Sequence, residues 1–294
     1  MIPKELFAKV RRIEITTSRL VTDVFAGQYH SVFKGQGIEF DEVREYQIGD
    51  DIRTIDWNVT ARTGLPHVKK YVEERELSVM IVVDVSYSQR FGSVNSLKSQ
   101  LAAEIAALLA FSAIRNNDKV GLIVFTDRIE KFIPPRKGLR HVLRIIREVL
   151  YFEPKGRSTD IAGALEYLAQ VLRRKSIVFL VSDFLGGSGA LKKVLSITNK
   201  RHDLIGITLN DPKELVLPKS GMLVLEDAET GGLVYVDTAS EEVRRSYEES
   251  NVRRIREREQ LFRGVGMDYI DISTESSYAD EIVKFFLKRR RRRR

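Results

Sequence analysis

Residues 79–88 read Val-Met-Ile-Val-Val-Asp-Val-Ser-Tyr-Ser. The run of five apolar residues is typical of a parallel strand that is buried on both faces. A carboxylate and two hydroxyls follow where this strand is predicted to end, at Asp84, Ser86 and Ser88. Ligands of open α/β sheets bind in the crevice at the carboxyl ends of the strands. The segment therefore predicts an α/β fold and a binding site at the edge of its sheet.

Strand and helix patterns alternate along the chain from residue 77 onward. Strands are predicted at 78–84, 119–126, 129–133, 176–182, 203–209 and 267–272. Helices are predicted at 94–115, 138–150, 160–173, 188–199, 239–263 and 277–288. The alternation predicts a doubly wound, mostly parallel sheet that is covered on both faces.

Three regions are expected. Residues 1–77 would form a small N-terminal subdomain, with a helix near 3–25 followed by short strands and loops rich in charged residues. Residues 78–288 would form the α/β domain, which a hairpin near 212–237 interrupts. Residues 289–294 would be a disordered basic tail, since a block of like charges usually stays solvated.

Composition narrows the class of protein. The net charge of +8 belongs mostly to Lys288–Arg294, without which 42 basic residues face 41 acidic ones. The body is therefore balanced, and binding to nucleic acid or an anionic surface would depend on the tail alone. The chain has no cysteine, which excludes disulfides and thiolate chemistry. With no secretion signal and no apolar run of about 18 residues, a cytoplasmic protein without a membrane span is expected.

Two further predicted strand ends carry oxygen donors. Thr159 lies in the loop before the 160–173 helix, and Asp183 follows the 176–182 strand. Together with the first three residues they predict a divalent-cation site, most favourably for Mg²⁺, with Mn²⁺ or Ca²⁺ as alternatives. The competing interpretation is that the serines cap the next helix, and that Thr159 or Asp160 caps the 160–173 helix.

The order Asp84-x-Ser86-x-Ser88, then Thr159, then Asp183 resembles the metal-ion-dependent adhesion site of von Willebrand factor A domains. The resemblance implies a von Willebrand A-like, Rossmann-type fold. It also implies that the three hydroxyls ligate the ion and that the two carboxylates hold it directly or through water. The remaining position would be filled by an Asp or Glu of a partner protein.

A second resemblance extends over nearly the whole chain. Phe33-Lys-Gly-x-Gly-Ile-Glu-Phe and Arg44-Glu-Tyr-x-x-Gly-Asp-Asp-Ile-Arg-x-Ile-Asp-Trp57 are similar to the "domain of unknown function 58" family. Members of that family commonly accompany MoxR-type AAA+ ATPases. The resemblance implies an adaptor that helps such an ATPase to assemble or activate other protein complexes.

The charged block at 35–62 has two interpretations. In the first, it is a scaffold in which Arg44, Arg53 and Arg62 pair with nearby aspartates while Trp57 packs in a core. In the second, it is a docking surface for a partner, because Trp and Arg are enriched at the centres of interfaces. The residues expected to contribute to that surface are Arg53, Asp56, Trp57 and Arg62.

Catalytic functions fit the sequence less well. A phosphotransferase or hydrolase could use Asp84 as its nucleophile, but Ser86 stands where an acid/base carboxylate would be needed. The four histidines show no spacing for metal ligands, and the chain lacks the phosphate-binding Gly-x-x-x-x-Gly-Lys motif. The sequence therefore favours a non-enzymatic, metal-dependent protein-binding module.

Overall fold

The computed structural model describes residue 29 and residues 39–72, 77–93, 97–185, 189–227 and 231–292. The chain divides into two compact units, a smaller one at Ser31–Glu76 and a larger one that includes Tyr29 and everything from Leu77 onward. The helix expected at 3–25 lies outside the described residues.

The smaller unit is built on an antiparallel pair of strands, β1 (Glu39–Glu45) and β2 (His67–Val72). Between them lie a 3₁₀ turn at Ile52–Thr54 and the short helix α1 (Trp57–Thr63). The helix ends at Gly64, whose φ of 78° is a left-handed conformation that glycine adopts without strain.

The larger unit contains a six-stranded sheet, and the predicted α/β fold is confirmed. Its strand order is β10-β7-β6-β3-β4-β5, and every neighbouring pair is parallel except β4 and β5. The strands are β3 (Ser78–Asp84), β4 (Lys119–Phe125), β5 (Ile129–Arg136), β6 (Ile177–Ser182), β7 (Asp203–Asn210) and β10 (Asp268–Ser273).

Both faces of this sheet are covered, as the continuous apolar strands predict. On one face, Met80 and Val82 belong to a core cluster with residues of the helices Ile161–Val171 and Leu191–Arg201, which precede and follow β6. The alternate residues Val79, Ile81 and Val83 point to the opposite face and are fully buried too. Residues 79–84 of β3 are therefore inaccessible to solvent.

The helices of the larger unit fall near the predicted positions. They are α2 (Lys98–Arg115), α3 (Leu139–Leu150), α4 (Ile161–Val171), α5 (Leu191–Arg201), α6 (Pro212–Leu215), α7 (Glu241–Gly264) and α8 (Tyr278–Arg292). In the described part of the chain, no helix combines the length and apolar character that crossing a membrane requires.

A separate hairpin of β8 (Met222–Glu226) and β9 (Leu233–Asp237) follows α6, close to where the sequence predicts one. Its two strands pair antiparallel and join no other strand of the described residues.

The structure differs from the expected disordered tail at 289–294. Helix α8 continues to Arg292, and Arg289 is buried, with ion pairs to Asp203 and Asp268 at the beginnings of β7 and β10. The physical reason is helical spacing: Arg289 lies three residues after Phe286 and seven after Ile282, both of which are buried on the same helix face.

Candidate functional site

The candidate site lies where the chain reverses direction across the sheet. From β3 the chain proceeds to β4 and β5 on one side, and it then returns to β6 on the other side of β3. Strands β3 and β6 are parallel neighbours, so their carboxyl ends lie side by side. Such a switch point forms a crevice in which ligands of open α/β sheets bind. Asp84 ends β3 and Asp183 follows β6, so the fold places these two carboxylates together.

The Asp84 carboxylate is buried and held by two donors. The backbone N–H of Ser86 donates to Oδ1 at 2.9 Å, and the hydroxyl of Ser182 donates to Oδ2 at 2.6 Å. Burial in the protein interior and the negative charge of Asp183 raise the pKa of Asp84 to about 7, against the lowering effect of its hydrogen bonds. The surroundings of Asp84 therefore do not supply enough positive charge to offset the cost of ionising this buried carboxylate.

Ser86 and Ser88 turn their hydroxyls toward each other. Both are buried, and their Oγ atoms are 3.1 Å apart. Ser86 stands at the N-cap position of the 3₁₀ turn Tyr87–Arg90, but its side chain makes no capping hydrogen bond. Helix α2 begins only after Leu97. The interpretation of these serines as helix caps is therefore wrong.

Asp183 is paired with a buried cation that the sequence analysis missed. The ammonium of Lys98, which is fully buried, donates to Asp183 Oδ2 at 2.8 Å and to Glu214 Oε1 at 2.6 Å. Burial alone would lower the pKa of Lys98, but its two carboxylate partners raise it above the usual value, so the group stays charged. Arg258 also donates to the backbone carbonyl oxygen of Asp183, at 3.1 Å.

These buried groups do not balance one another. Asp183 and the half-buried Glu214 share the ammonium of Lys98, whereas Asp84 has no cationic partner among the described residues. The nearby Arg258 is matched by its own partner, Asp271. A cation bound beside Asp84 would supply the positive charge that this buried carboxylate lacks.

Thr159 lies in a loop that is tied to the site through the backbone. The N–H of Tyr87 donates to the carbonyl oxygen of Arg157 at 3.0 Å, which joins this loop to the Ser86–Ser88 turn. The Thr159 hydroxyl is half-buried and makes no hydrogen bond with any other described residue. Asp160 caps helix α4 by accepting from the N–H of Gly163 at 3.0 Å, so the capping role considered for it is confirmed.

The position of the Thr159 loop also depends on a glycine. The N–H of Gly156 donates to Glu130 Oε1 at 2.8 Å. A Cβ at Gly156 would lie 1.8 Å from Asp127 Oδ1 and 2.2 Å from Thr126 Oγ1. A side chain there would require Asp127, Thr126 or the loop itself to move.

The donor set has the chemistry of a site for a hard cation. Two carboxylates and the hydroxyls of Ser86 and Ser88 converge on one sheet edge, and oxygen ligands of this kind suit Mg²⁺, Mn²⁺ or Ca²⁺. The described residues contain no group of three or more His, Cys, Asp or Glu side chains that could hold a metal. Hydroxyls would thus have to supply part of the coordination.

Gln89 is a further residue that sequence reasoning missed. It follows the Ser86–Ser88 turn directly and is buried, yet its side-chain amide nitrogen and oxygen have no hydrogen-bond partner among the described residues. Ser182 belongs to the same group, because its hydroxyl holds Asp84. The position of Ser182 immediately before Asp183, at the end of a strand, could have indicated its role. Nothing in the helical pattern around Lys98 indicates the contacts of that lysine.

The predicted partner-binding residues lie in the smaller unit and are only partly as expected. Arg44 forms the predicted ion pair with Asp50, through two hydrogen bonds of 2.7 and 2.8 Å. Asp56 instead caps α1 by accepting from the N–H of Asn58 and that of Val59. Arg53 and Arg62 are exposed and have no ion-pair partner in the described part of the chain.

The exposure of Trp57 contradicts the interpretation in which its side chain packs in a core. Its exposed fraction is 67%, because it occupies the first position of α1 and no described neighbour covers it. The side chain is thus available to a partner.

The amino-acid sequence of this chain is similar to a known family and to individual proteins of other organisms. The model of a family described as "Protein of unknown function DUF58" matches residues 42–258. An uncharacterized protein of Mycobacterium tuberculosis is 31% identical over 289 residues, which is 98% of this chain and 90% of the relative. An uncharacterized protein of Mycobacterium bovis gives the same values.

Two solved structures show the fold at low sequence identity. The crystal structure of an aerotolerance-related membrane protein from Bacteroides fragilis is similar with a TM-score of 0.51 and 14% identity, over 74% of this chain and 99% of that chain. A von Willebrand factor type A structure from Catenulispora acidiphila gives a TM-score of 0.37 and 8% identity, over 75% of this chain and 43% of the other. The first likeness supports the α/β architecture.

Proposed function

The chain belongs to the DUF58 family, and from this membership and the geometry at the ends of β3 and β6 we propose a metal-dependent protein-binding function. A divalent cation, Mg²⁺ above the alternatives Mn²⁺ and Ca²⁺, would be held by Asp84, Ser86, Ser88, Thr159 and Asp183. The observation that carries the proposal is the buried Asp84 carboxylate beside Asp183, with the two serine hydroxyls 3.1 Å apart next to them.

The proposed ligands would contribute either negative charge or neutral oxygen atoms. Asp84 and Asp183 supply the negative charge, since Lys98 balances only part of it. Ser86 and Ser88 supply neutral oxygens, which would leave a bound cation electrophilic toward an incoming carboxylate. The hydrogen bonds from Ser86 N–H and the Ser182 hydroxyl fix the Asp84 carboxylate before any partner arrives. A partner would bind by offering an Asp or Glu side chain.

A catalytic role receives no comparable support. Lys98 is already engaged by two carboxylates, and the residue two positions after Asp84 is a serine, which is a poor proton carrier at neutral pH. We therefore propose a binding module and not an enzyme. The cytoplasmic location expected from the sequence stays a prediction.

The family resemblance suggests which proteins are brought together. We propose that the chain is an adaptor for a MoxR-type AAA+ ATPase, with the cation site binding either the ATPase or its client. The exposed Trp57, Arg53 and Arg62 of the smaller unit supply a second candidate contact surface, with residue types that are frequent at interface hot spots.

A pull-down with the MoxR-type ATPase from the same genome tests the proposal. Binding should require Mg²⁺, disappear with EDTA and disappear in Asp84→Ala. The exposed Arg144→Ala on α3 is a control variant that should bind normally. Binding that persists in EDTA and in Asp84→Ala would refute the metal-dependent mechanism.

A further inference from the structure

The turn that carries Ser86 and Ser88 also presents an aromatic ring with two guanidinium groups. The Arg157 guanidinium carbon lies 4.5 Å from the centre of the Tyr87 ring, and that of Arg90 lies 5.2 Å from it. Contacts of this kind hold a cation over a ring with modest energy at an exposed site. The side chains of Arg90 and Arg157 are thereby positioned beside the candidate cation site.

The two arginines differ in how much of their charge is balanced. Arg157 forms an ion pair with Glu226, at 3.2 Å, at the end of β8. Arg90 is exposed and has no carboxylate partner in the part of the chain that the structure describes. A positive charge is therefore available to a partner next to the Ser86–Ser88 turn.

The hairpin joined to this turn has an apolar face that is exposed. The cross-strand register places Val224 opposite Tyr235, and the side chains of Met222 and Leu233 point to the same side. Tyr235 has an exposed fraction of 71% and Met222 one of 65%. On the other face, Leu223, Leu225 and Val236 are partly buried, and Val234 is exposed. Clustered exposed apolar side chains with polar residues around them are typical of interaction sites.

Arg157 links the hairpin to the cation site. Its guanidinium contacts both the Tyr87 ring and Glu226, and it lies so near Gly231 that a Cβ there would be 3.2 Å from it. The turn end of the hairpin therefore adjoins the Ser86–Ser88 turn, and the apolar face, the arginines and the candidate site are continuous.

We propose that this continuous surface, defined by Tyr87, Arg90, Arg157 and the exposed β8–β9 face, docks an acidic segment of a partner protein that also carries apolar residues. The inference rests on the proposed function and specifies its partner. One carboxylate of the segment would reach the cation site, a second would face Arg90, and an apolar side chain would cover Val224 and Tyr235. Charge complementarity favours this occupant, since Arg90 and a cation bound at the candidate site would both attract a carboxylate.

Three pools of short fluorescein-labelled peptides test the proposal by anisotropy in Mg²⁺. Every peptide has one central Asp. The first pool adds Glu and apolar residues, the second adds Glu and serine, and the third adds Lys and apolar residues. The first pool should bind best, roughly tenfold tighter than either of the others.

Two variants assign that preference to the surface. Arg90→Glu should abolish the discrimination between the first and third pools, and the double variant Val224→Ser/Tyr235→Ser should abolish that between the first and second. Arg144→Glu on α3 and the exposed Ile197→Ser on α5 are matched controls that should change neither. Circular dichroism would verify that each variant is folded.

The outcomes separate this inference from the proposed function. If all pools bind equally in a Mg²⁺-dependent way, or if both variants keep the wild-type preference, the docking surface is refuted while the cation site stands. If the first pool is preferred in EDTA and in Asp84→Asn, with the Arg90 and hairpin dependence intact, the surface stands and the metal mechanism is refuted. Absence of binding to every pool, or self-association that the hairpin variant abolishes, overturns the proposed occupant.

Discussion

Lys98 Nζ lies 2.8 Å from Asp183 Oδ2 in the interior of the larger unit, so a lysine from the start of α2 already neutralises one carboxylate of the candidate cation site. Glu214 shares the same ammonium. A cation at the site would therefore bind beside a fixed positive charge. Of the two carboxylates at the site, Asp84 is the one that lacks a cationic partner.

Lys98→Met should destabilise the protein by about 3–5 kcal/mol, because it leaves the buried Asp183 and the half-buried Glu214 without a cation. The double variant Lys98→Met/Glu214→Gln should recover part of the loss, since one of the two uncompensated charges is then removed. Urea unfolding of the three proteins measures both effects. A Lys98→Met variant as stable as the wild type would show that the ion pairs of Lys98 do not stabilise the folded protein.

Asp84→Asn should abolish stabilisation by Mg²⁺. For the wild type, Mg²⁺ at a hundredfold excess over its dissociation constant should add about 2.7 kcal/mol to the free energy of unfolding. Thermal melts with and without Mg²⁺ measure the difference. Asp160→Asn is the matched control, because asparagine still caps α4 and the Mg²⁺ effect should persist.

The stability of the metal-free protein should fall as the pH rises from about 4 to about 7. The pKa of Asp84 is about 7 in the folded protein and near its ordinary value of 3.8 when unfolded, so the folded state binds the extra proton in this window. The loss amounts to a few kcal/mol at most, at about 1.4 kcal/mol for each pKa unit. Urea unfolding across this range should show a flatter profile for Asp84→Asn. Identical profiles for the two proteins would contradict the raised pKa.

Arg289→Ala should cost roughly 3 kcal/mol of stability, since Asp203 and Asp268 lose their buried partner. The neighbouring Arg291→Ala changes an exposed residue and should stay within about 0.5 kcal/mol of the wild type. If the two variants changed the stability equally in denaturant titrations, the end of α8 would behave as a solvated tail.

Trp57→Ala should alter stability by no more than about 0.5 kcal/mol, because most of the side chain is already in water. Val68→Ala, a buried change in the same unit, should cost more. If the smaller unit contacts the AAA+ ATPase, Trp57→Ala should weaken that binding about tenfold or more, as isothermal titration would show. A loss of stability without any loss of binding would favour the scaffold interpretation.

The sequence predicts the larger unit well because its signals are local. Continuous apolar runs such as 79–83 identify strands that are buried on both faces, and the order of strands and helices then leaves few topologies. Asp84 and Asp183 follow from the same rule, since parallel strands end at one edge of the sheet.

Other features depend on contacts that local patterns do not encode. Lys98 looks like an ordinary helix residue, and only the folded chain brings Asp183 and Glu214 to it. The burial of Arg289 likewise requires the amino ends of β7 and β10, which are distant in sequence. The scaffold interpretation places Trp57 in a core, whereas its position at the first residue of α1 leaves it exposed.

The hydrogen bond from Ser182 to Asp84 has a consequence for biosynthesis. It joins residues 98 positions apart, so it closes a very long loop of the chain. Contacts between such distant residues form late, because the chain entropy of loop closure must be overcome first. During translation, Asp84 would emerge from the ribosome well before β6 exists. The cation site would thus be assembled only once most of the sheet is complete, and a truncated nascent chain would be unable to engage a partner through it.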